Sequence, residues 1–390
     1  MSPSIRFPEF TGEWEKCKLG TLATKVGSGS TPKGGDAVYT SIGHYFVRSQ
    51  NVGMGFLMLD NIAHINDDIH QKHKATEIYE NDVLLNITGA SIGRTAVATK
   101  ELEGGNVNQH VCIIRTNSKV NPKFLCDYIQ TQRIQNHIKS LQTGGSREGL
   151  NFEQIRSFPI SLPSINEQNK LTCLLDKINE RIATQVRLIE DLKKLRCAIV
   201  EKMFKQSKAN GRLGDFIEQV SVRNKNGLYS NVLSVSNKQG FVKQSEQFED
   251  RTVASEDTSN YKIVKRNNFA YNPARINVGS IARLTKFDVG IVSPMYVCFR
   301  TKASIIPEYM EAFFTSQQFF YEMMKRLEGS VRLCLSYEGL CNIPVYIPNM
   351  NKQIVMGQNI SLILSKIGLE IEYLGRLHQQ KQYLLRKMFI

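Results

Sequence analysis

Basic side chains beside short loops are the residues of this sequence whose type and spacing could do chemistry. Loops of Gly, Ser and Asn let backbone N–H groups approach phosphate oxygens, and a nearby Arg or Lys adds positive charge. Arg can also bind guanine at two points, and Asn or Gln can do so for adenine. The candidate contacts to a nucleic acid are Ser30, Lys33, Arg48, Arg94, Arg147, Arg223, Lys225, Arg275, Arg283 and Arg332.

Motifs of catalytic chemistry are missing from the sequence. It contains no Gly-x-x-x-x-Gly-Lys-Ser/Thr phosphate loop, and residues 27–33 are Gly-rich but wrongly spaced for one. Residues 272–275, Asn-Pro-Ala-Arg, resemble part of an amino-methyltransferase motif but lack its second Pro and its aromatic ring. They are better interpreted as a turn that ends a strand. His64, His70 and His73 have no partners at ligand spacing, so we predict no catalytic, cofactor or metal site in this chain.

The charge balance indicates the class of partner rather than the fold. The 390 residues carry a formal net charge of +14. A polyanion is the expected partner, nucleic acid before a membrane surface, although a solubility feature or a balance for an acidic subunit would look similar. The eight cysteines have no metal spacing and are expected to be buried core residues in a reducing compartment. With no signal peptide and no apolar run of 18 residues, we expect a soluble cytoplasmic protein.

A repeat organises the chain. Residues 144–204 match residues 329–389 at a constant offset of 185 (329 minus 144), so that, for example, Gly144 answers Gly329. Before residue 144 the match between the repeats weakens and its offset changes, although Leu19-Gly20 still aligns with Leu213-Gly214. A chain with one scaffold and two different recognition surfaces would show this pattern. Base reading is therefore expected in the variable stretches, roughly 28–75 and 220–262.

Both repeats predict the same order of elements. Residues 107–115 and 291–300 are apolar, β-branched runs that favour buried strands. Pro122 and Pro307 then open helices that are predicted to run to Leu141 and Leu327. Prolines four residues apart, at 159 and 163 and at 344 and 348, predict extended segments next. A long helix follows in each repeat, capped by Ser164 with Glu167 and by Asn349.

The two long helices carry an apolar heptad seam that is interrupted at matching places. Gln185 aligns with Glu370 in the repeat, and Arg196 aligns with Lys381. If the helices pair antiparallel, Arg196 can face Glu370 and Gln185 can face Lys381, with every other layer apolar, such as Ile189 with Leu377. We predict this register. The alternative is two separate amphipathic helices, each packed on its own domain.

The duplicated order of motifs resembles the specificity subunit of type I restriction-modification enzymes. Each repeat has a variable domain, then Gly-x-x-Arg-x-x-Leu, the paired prolines, Asn-x-Gln, and a long helix ending Lys-Met-Phe. Residues 14–20 and 27–32 are also typical of that family's first target recognition domain, whereas the second repeat lacks the Gly-Ser-Thr-Pro loop. The resemblance covers almost the whole chain.

The resemblance implies an α/β (α+β) fold with a pseudo-twofold repeat, in which two target recognition domains are joined by two long antiparallel coiled-coil helices. The expected boundaries are 1–163, 164–209, 210–348 and 349–390, in the order domain, helix and linker, domain, helix. Each domain would bind one half of a bipartite DNA target while the helices set the gap. Two methyltransferase subunits and two restriction subunits would be partners, and S-adenosylmethionine, ATP and Mg²⁺ would bind in them. This chain would be non-catalytic.

Two other functions remain open from the residues. One is a coiled-coil scaffold that binds acidic proteins and reads no DNA. The other is a stand-alone DNA methyltransferase with degenerate motifs.

Overall fold

The computed structural model describes residues 3–142, 149–205, 208–237, 239–247, 257–330 and 332–390. The chain forms two compact units: Met1–Thr184 with Tyr373–Ile390, and Gln185–Glu372. Both units mix helices and sheets. Each combines one globular domain with a stretch of each of the two longest helices, which begin after the paired prolines.

The first unit has three sheets beside its helices. A four-stranded antiparallel sheet has the order β2-β8-β5-β6, a three-stranded sheet has the order β4-β3-β7, and β1 pairs with β9. Its elements are β1 Glu15–Lys18, α1 Leu19–Leu22, β2 Ala23–Ser28, β3 His44–Val47, β4 Ala63–Ile65, α2 Asp67–Lys72, β5 Val83–Asn86, β6 Thr95–Val97, β7 Asn106–Val107, β8 Val111–Thr116, α3 Pro122–Ile129, α4 Gln132–Gln142, α5 Phe152–Arg156, β9 Pro159–Leu162 and the start of α6 Ile165–Lys205.

The second unit repeats this plan with a different second sheet. Its sheets have the orders β11-β18-β15-β16, β13-β12-β17-β14 and β10-β19. Its elements are β10 Gly211–Arg212, α7 Leu213–Phe216, β11 Ile217–Gln219, β12 Val232–Ser236, β13 Gly240–Lys243, α8 Gln244–Gln247, β14 Lys262–Lys265, β15 Phe269–Tyr271, β16 Ile281–Arg283, β17 Val289–Val292, β18 Val297–Thr301, α9 Pro307–Phe313, α10 Gln317–Met324, α11 Tyr337–Cys341, β19 Pro344–Val345 and most of α12 Met350–Met388.

Four predicted elements are each divided in two. The helix expected over 122–141 breaks at Gln130 and Thr131, where the Thr131 hydroxyl donates to the Tyr128 carbonyl at 2.7 Å and competes with helix continuation. The helix expected over 307–327 breaks before Ser316, whose hydroxyl caps α10. The strands expected over 107–115 and 291–300 are likewise interrupted, at residues 108–110 and 293–296. Apolar periodicity alone did not reveal these breaks.

The Asn-x-Gln motif ties each long helix to the domain before it. Gln168 accepts from the backbone N–H of Asn121 at 2.8 Å and donates to the carbonyls of Lys119 and Pro163. Gln353 makes the same three bonds, with the N–H of Ile306 and the carbonyls of Ser304 and Pro348. Both glutamines are buried. The predicted caps also form, since Ser164 accepts from the N–H of Glu167 and Asn349 from the N–H of Lys352.

The Leu-Gly pairs also have one structural cause. Leu19 and Leu213 donate from their backbones to Phe158 and Ile343, both at 2.9 Å. The following glycines pack against α5 and α11, where an added Cβ would lie 3.1 Å from Cβ of Arg156 and 3.0 Å from Cβ of Cys341, respectively. A larger residue would push these helices apart, so the pair recurs because the close approach recurs.

The Lys-Met-Phe ends of the two helices are exchanged between the units. Phe389, at the end of the second repeat, packs in the first unit with its ring 5.4 Å from Phe124 and 6.0 Å from Tyr128 of α3. Phe204, at the end of the first repeat, packs in the second unit with its ring 5.3 Å from Tyr309 and 5.2 Å from Phe313 of α9. The helices run antiparallel, and each unit is completed by the end of the other repeat's helix.

The predicted seam register is wrong. Gln185 donates to the carboxylate of Glu370, and to its backbone carbonyl at 3.1 Å, so these two positions face each other. Lys381 does not meet Gln185 but donates to Gln130, at the end of α3, at 3.2 Å. The apolar layers predicted from that register, such as Ile189 with Leu377, are therefore also wrong. The alternative of unpaired helices is also excluded by the Gln185–Glu370 contact.

Arg196 and Lys381 do not pair with the other helix because they face the globular part of their own unit. Gln130 bridges Lys381 and Asp127: its amide oxygen accepts from Lys381, and its amide nitrogen donates to Asp127 at 3.3 Å. Burial raises the pKa of Asp127 to about 7, against the opposing charge of Lys381. In the second unit, partial burial raises the pKa of Glu311 on α9, while the charges of Arg283 and Arg196 lower it. A polar residue in the heptad seam can therefore interact with a helix of the globular domain instead of with the partner helix.

The cysteines are free thiols, as their spacing suggested, but the expectation that they are core residues holds for only some. Cys112, Cys126 and Cys298 are buried, and burial raises the pKa of each thiol to about 12. Cys173 and Cys197 are exposed on α6.

Candidate nucleic-acid interface

Four loops of the first unit converge around two buried asparagines. Asn108 accepts from the N–H of Gly29 at 3.1 Å and donates to the carbonyl of Val47 at 3.0 Å. These two bonds join the loop after β2, which carries Ser30, to the end of β3, which is followed by Arg48.

Asn86 makes the second junction. Its side chain donates to the carbonyl of Ser49 at 2.8 Å, and its backbone N–H donates to the carbonyl of Arg94 at the same distance. Ser30, Arg48 and Arg94 are thereby brought to neighbouring loops at one edge of the sheets. They are separated in sequence by 64 residues (94 minus 30), so only the fold makes them neighbours.

The candidate side chains on this edge differ in their solvent exposure and in their contacts with other residues. Lys33 and Arg94 are exposed. Ser30 is exposed and lies 2.9 Å from Nδ1 of His73. Arg48 is half-buried with its guanidinium 5.4 Å from the Tyr39 ring, and its buried Nε has no hydrogen-bond partner among the described residues.

Arg147 lies outside the described residues. The chain that follows it returns to the same edge, because Leu150 donates to the carbonyl of Ile87 at 2.9 Å and Gly149 bridges to Thr88.

Sequence reasoning missed a set of polar residues on this edge. Thr31 donates to Oε1 of Gln109, Nε2 of Gln109 lies 3.1 Å from Nε2 of His110, and Nδ1 of His110 is bonded to Thr88. Three loops are linked by this chain of contacts. The available signal was the polar run Asn108-Gln109-His110, which interrupts the apolar stretch predicted to form one strand.

The second unit brings together Arg275 and the segment of Arg332. Arg275 is exposed on the turn after β15, and Leu335 donates to the carbonyl of Pro273 in that turn at 3.1 Å. This bond corresponds to the one between Leu150 and Ile87 in the first unit. Arg332 itself is exposed. The prediction that residues 272–275 form a turn ending a strand is confirmed.

Arg223 and Lys225 occupy a separate loop, which borders β14. Arg223 donates to the side chain of Asn260 at 3.0 Å and pairs with Lys262 in a β-bridge, while Lys225 is exposed. Part of the variable stretch 220–262, namely residues 238 and 248–256, lies outside the described residues.

Arg283 has a structural role instead of a free guanidinium. It is paired with Glu308 and, at 2.9 Å, with Glu311, and it donates to Asn267 at 3.0 Å. Its side chain is only 10% exposed. The prediction that Arg283 contacts nucleic acid is therefore not supported, because its guanidinium is engaged within the protein. Across the described ranges, no group of three or more His, Cys, Asp and Glu side chains could hold a metal ion.

The sequence of the first repeat decides the family. Residues 11–194 match the family described as the type I restriction modification DNA specificity domain. Residues 11–194 of this chain therefore form a type I restriction-modification specificity domain.

Similar proteins agree with this assignment. Over 135 residues this chain is 24% identical to the type I restriction enzyme EcoBI specificity subunit of Escherichia coli, covering 34% of this chain and 28% of that one. This chain thus aligns with about a quarter of the length of that relative.

Two solved structures share the fold over the full length. The type I restriction-modification S subunit from M. genitalium superimposes with a TM-score of 0.61 and 17% identity, covering 100% of this chain and 99% of that one. A chain from a structure on complex assembly and conformational transition of the type I R-M system gives 0.58 and 14%, covering 98% of both chains.

Helix α12 is long and apolar enough to cross a membrane, by length and composition alone. Its apolar seam has another explanation, since Ile360, Ile367 and Leu377 are buried against protein.

Proposed function

We propose that this chain reads a bipartite DNA target, with one half-site bound by each globular domain. The observation that carries the proposal is the convergence of Ser30, Arg48 and Arg94 on one edge of a domain whose sequence matches the specificity domain. The second domain supports it with Arg275 and Arg332 beside an equivalent turn. Positive side chains on adjoining loops suit a phosphate backbone, and polar ones between them suit base edges.

The test of DNA reading is methylome sequencing of cells with and without this chain. We expect a two-part motif with a fixed gap that disappears when the chain is deleted. The scaffold alternative predicts no such motif. It also predicts weak salt dependence of binding to duplex DNA, whereas phosphate contacts release counterions and make the dependence steep.

We further propose that helices α6 and α12 set the gap between the half-sites. Both helices contribute to both units, so their lengths are coupled to both domains. Inserting about four residues into each helix adds about 6 Å to each. The gap in the methylated motif should then change while both half-sites stay the same. Altered half-sites with an unchanged gap would refute the ruler role.

The chemistry is proposed to reside in partner subunits in the cytoplasm. Two methyltransferase subunits, with S-adenosylmethionine, would methylate adenine N6, and two restriction subunits would use ATP and Mg²⁺. The proposal is supported by the missing catalytic motifs and by the family of the first repeat. Purified chain incubated with DNA and a methyl donor should transfer nothing until the modification subunit is added. Transfer by the chain alone would favour the stand-alone methyltransferase.

A further inference from the structure

Gln109 is an exposed residue within a chain of hydrogen bonds that runs from Thr31 to Thr88. It lies between β7 and β8, on the edge where the loops of Ser30, Arg48 and Arg94 meet. The neighbouring Asn108 is buried and holds the loop by its backbone bonds to Gly29 and Val47. Gln109 is therefore a freely accessible amide on a rigidly held backbone.

The amide of Gln109 is fixed on one side and free on the other. Thr31 donates to Oε1, and Nε2 donates to Nε2 of His110 at 3.1 Å. His110 then carries its proton on Nδ1 and donates it to Thr88. A glutamine amide has two acceptor sites and two donor hydrogens, so one of each remains for a ligand. Both lie in the amide plane.

An acceptor beside a donor in one plane is the pattern that matches adenine in the major groove. The adenine N6 amino group donates to the glutamine oxygen while N7 accepts from the glutamine nitrogen. We propose that Gln109 reads an adenine of the half-site bound by the first domain, and that Thr31 and His110 are positioning residues which hold its amide. The inference rests on the proposed function and adds a specific reading residue to it.

Fixing the amide matters because a free glutamine can rotate by half a turn and exchange its donor with its acceptor. The rotated amide would offer the wrong pattern to adenine. Thr31 and His110 favour one orientation, since the hydroxyl of Thr31 donates to an oxygen and the unprotonated Nε2 of His110 accepts from a nitrogen. Specificity then arises from preorganisation as well as from the contact.

The first experiment compares methylomes of cells that carry the partner subunits and the full-length chain. The variants are Gln109→Ala, Gln109→Glu and the control Gln132→Ala, an exposed glutamine on α4. We expect Gln109→Ala to relax one A·T pair of one half-site, with the other half-site and the gap unchanged. Gln132→Ala should keep the wild-type motif.

Two outcomes separate this inference from the function on which it rests. A two-part wild-type motif that is identical in Gln109→Ala overturns the role of Gln109 alone. A wild type without any two-part motif overturns the proposed function, and the role of Gln109 falls with it.

A binding measurement guards against a variant that fails to fold. The full-length chain with its modification subunits is bound to target duplexes in which 7-deazaadenine replaces the adenine, which removes N7. Wild type should lose binding about tenfold, because one of the two hydrogen bonds of the contact loses its acceptor. Gln109→Glu keeps the side-chain shape but not the donor, and it should show no further loss on the substituted duplex. Equal losses in both proteins would overturn the proposal.

Thr31→Val tests the positioning role, because valine has the shape of threonine without its hydroxyl. We expect weaker discrimination at the same A·T pair, with the affinity for non-target DNA unchanged. Unchanged discrimination in Thr31→Val would show that Thr31 does not position Gln109.

Discussion

Gln185 and Glu370 are equivalent positions of the repeat, and they are hydrogen-bonded to each other. Equivalent positions on two antiparallel helices can meet only at the midpoint of the pair. Lys366 also pairs with Glu370, so the carboxylate has two partners in the seam. A buried polar contact at one layer penalises slipped registers, which would leave these groups unpaired.

The register can be checked by disulfide formation. In a background with Cys173→Ser and Cys197→Ser, the pair Gln185→Cys and Glu370→Cys should crosslink under mild oxidation because the two positions face each other. The matched control is Gln185→Cys with Lys381→Cys, the register that sequence reasoning favoured. Electrophoresis of the oxidised proteins distinguishes them. A crosslink in the control alone would refute the observed register.

The exchanged helix end should be a strong stabiliser of the first unit. Phe389→Ala removes a buried ring that contacts Phe124 and Tyr128, and it should cost about 3–5 kcal/mol. Trp14, the single tryptophan, lies 6.5 Å from Phe389, so its fluorescence reports unfolding of this unit. The denaturant midpoint followed by Trp14 should fall in Phe389→Ala. In Phe204→Ala that midpoint should move less, while the circular dichroism transition shifts.

Replacing buried Gln168 should lower the free energy of unfolding more than replacing an exposed glutamine does. Gln168→Leu leaves the Asn121 N–H and two carbonyls without their partner in a buried position, which costs about 1–3 kcal/mol. Unfolding curves of the variant should show this loss. Gln379→Leu, at an exposed position of α12, is the matched control and should be within about 0.5 kcal/mol of wild type.

Asp127 should make the first unit less stable as pH rises. Its folded pKa of about 7 lies above the unfolded value of about 3.9, so the unfolded chain loses the proton first. The stability linked to this group is complete below about pH 4 and is lost as the pH approaches 7, by at most about 4 kcal/mol. Asp127→Asn should remove this slope from the Trp14 unfolding curves. An unchanged slope would show that another group titrates.

Arg94 and Arg283 should behave as opposites, although both are arginines on candidate loops or strands. Arg94→Ala should weaken binding to duplex DNA and lower the salt slope by about 1, with stability unchanged, because the side chain is exposed. Arg283→Ala should leave the salt slope as it is and destabilise the second unit by about 1–3 kcal/mol, because Glu308 and Glu311 lose their partner. Salt titrations and unfolding curves together separate the two roles.

Local chemistry let the sequence predict the elements that recur. Ser and Asn are common helix caps, and Ser164 and Asn349 cap the two long helices as predicted. The paired prolines disfavour helix whatever their tertiary surroundings. Gln168 and Gln353 occupy the same position in the repeated Asn-x-Gln motif, and each forms the same three bonds. Such features depend on residues close in sequence or on comparison of one repeat with the other.

Tertiary structure decided the features that depend on distant partners. The heptad pattern shows that Lys381 and Arg196 interrupt an apolar seam, but it cannot show that Lys381 faces Gln130 instead of the other helix. Likewise, no spacing places Gln109 beside Thr31, because backbone bonds across two sheets bring those loops together. Periodicity gives the face of an element, whereas the partner of that face is set by the packing of the whole unit.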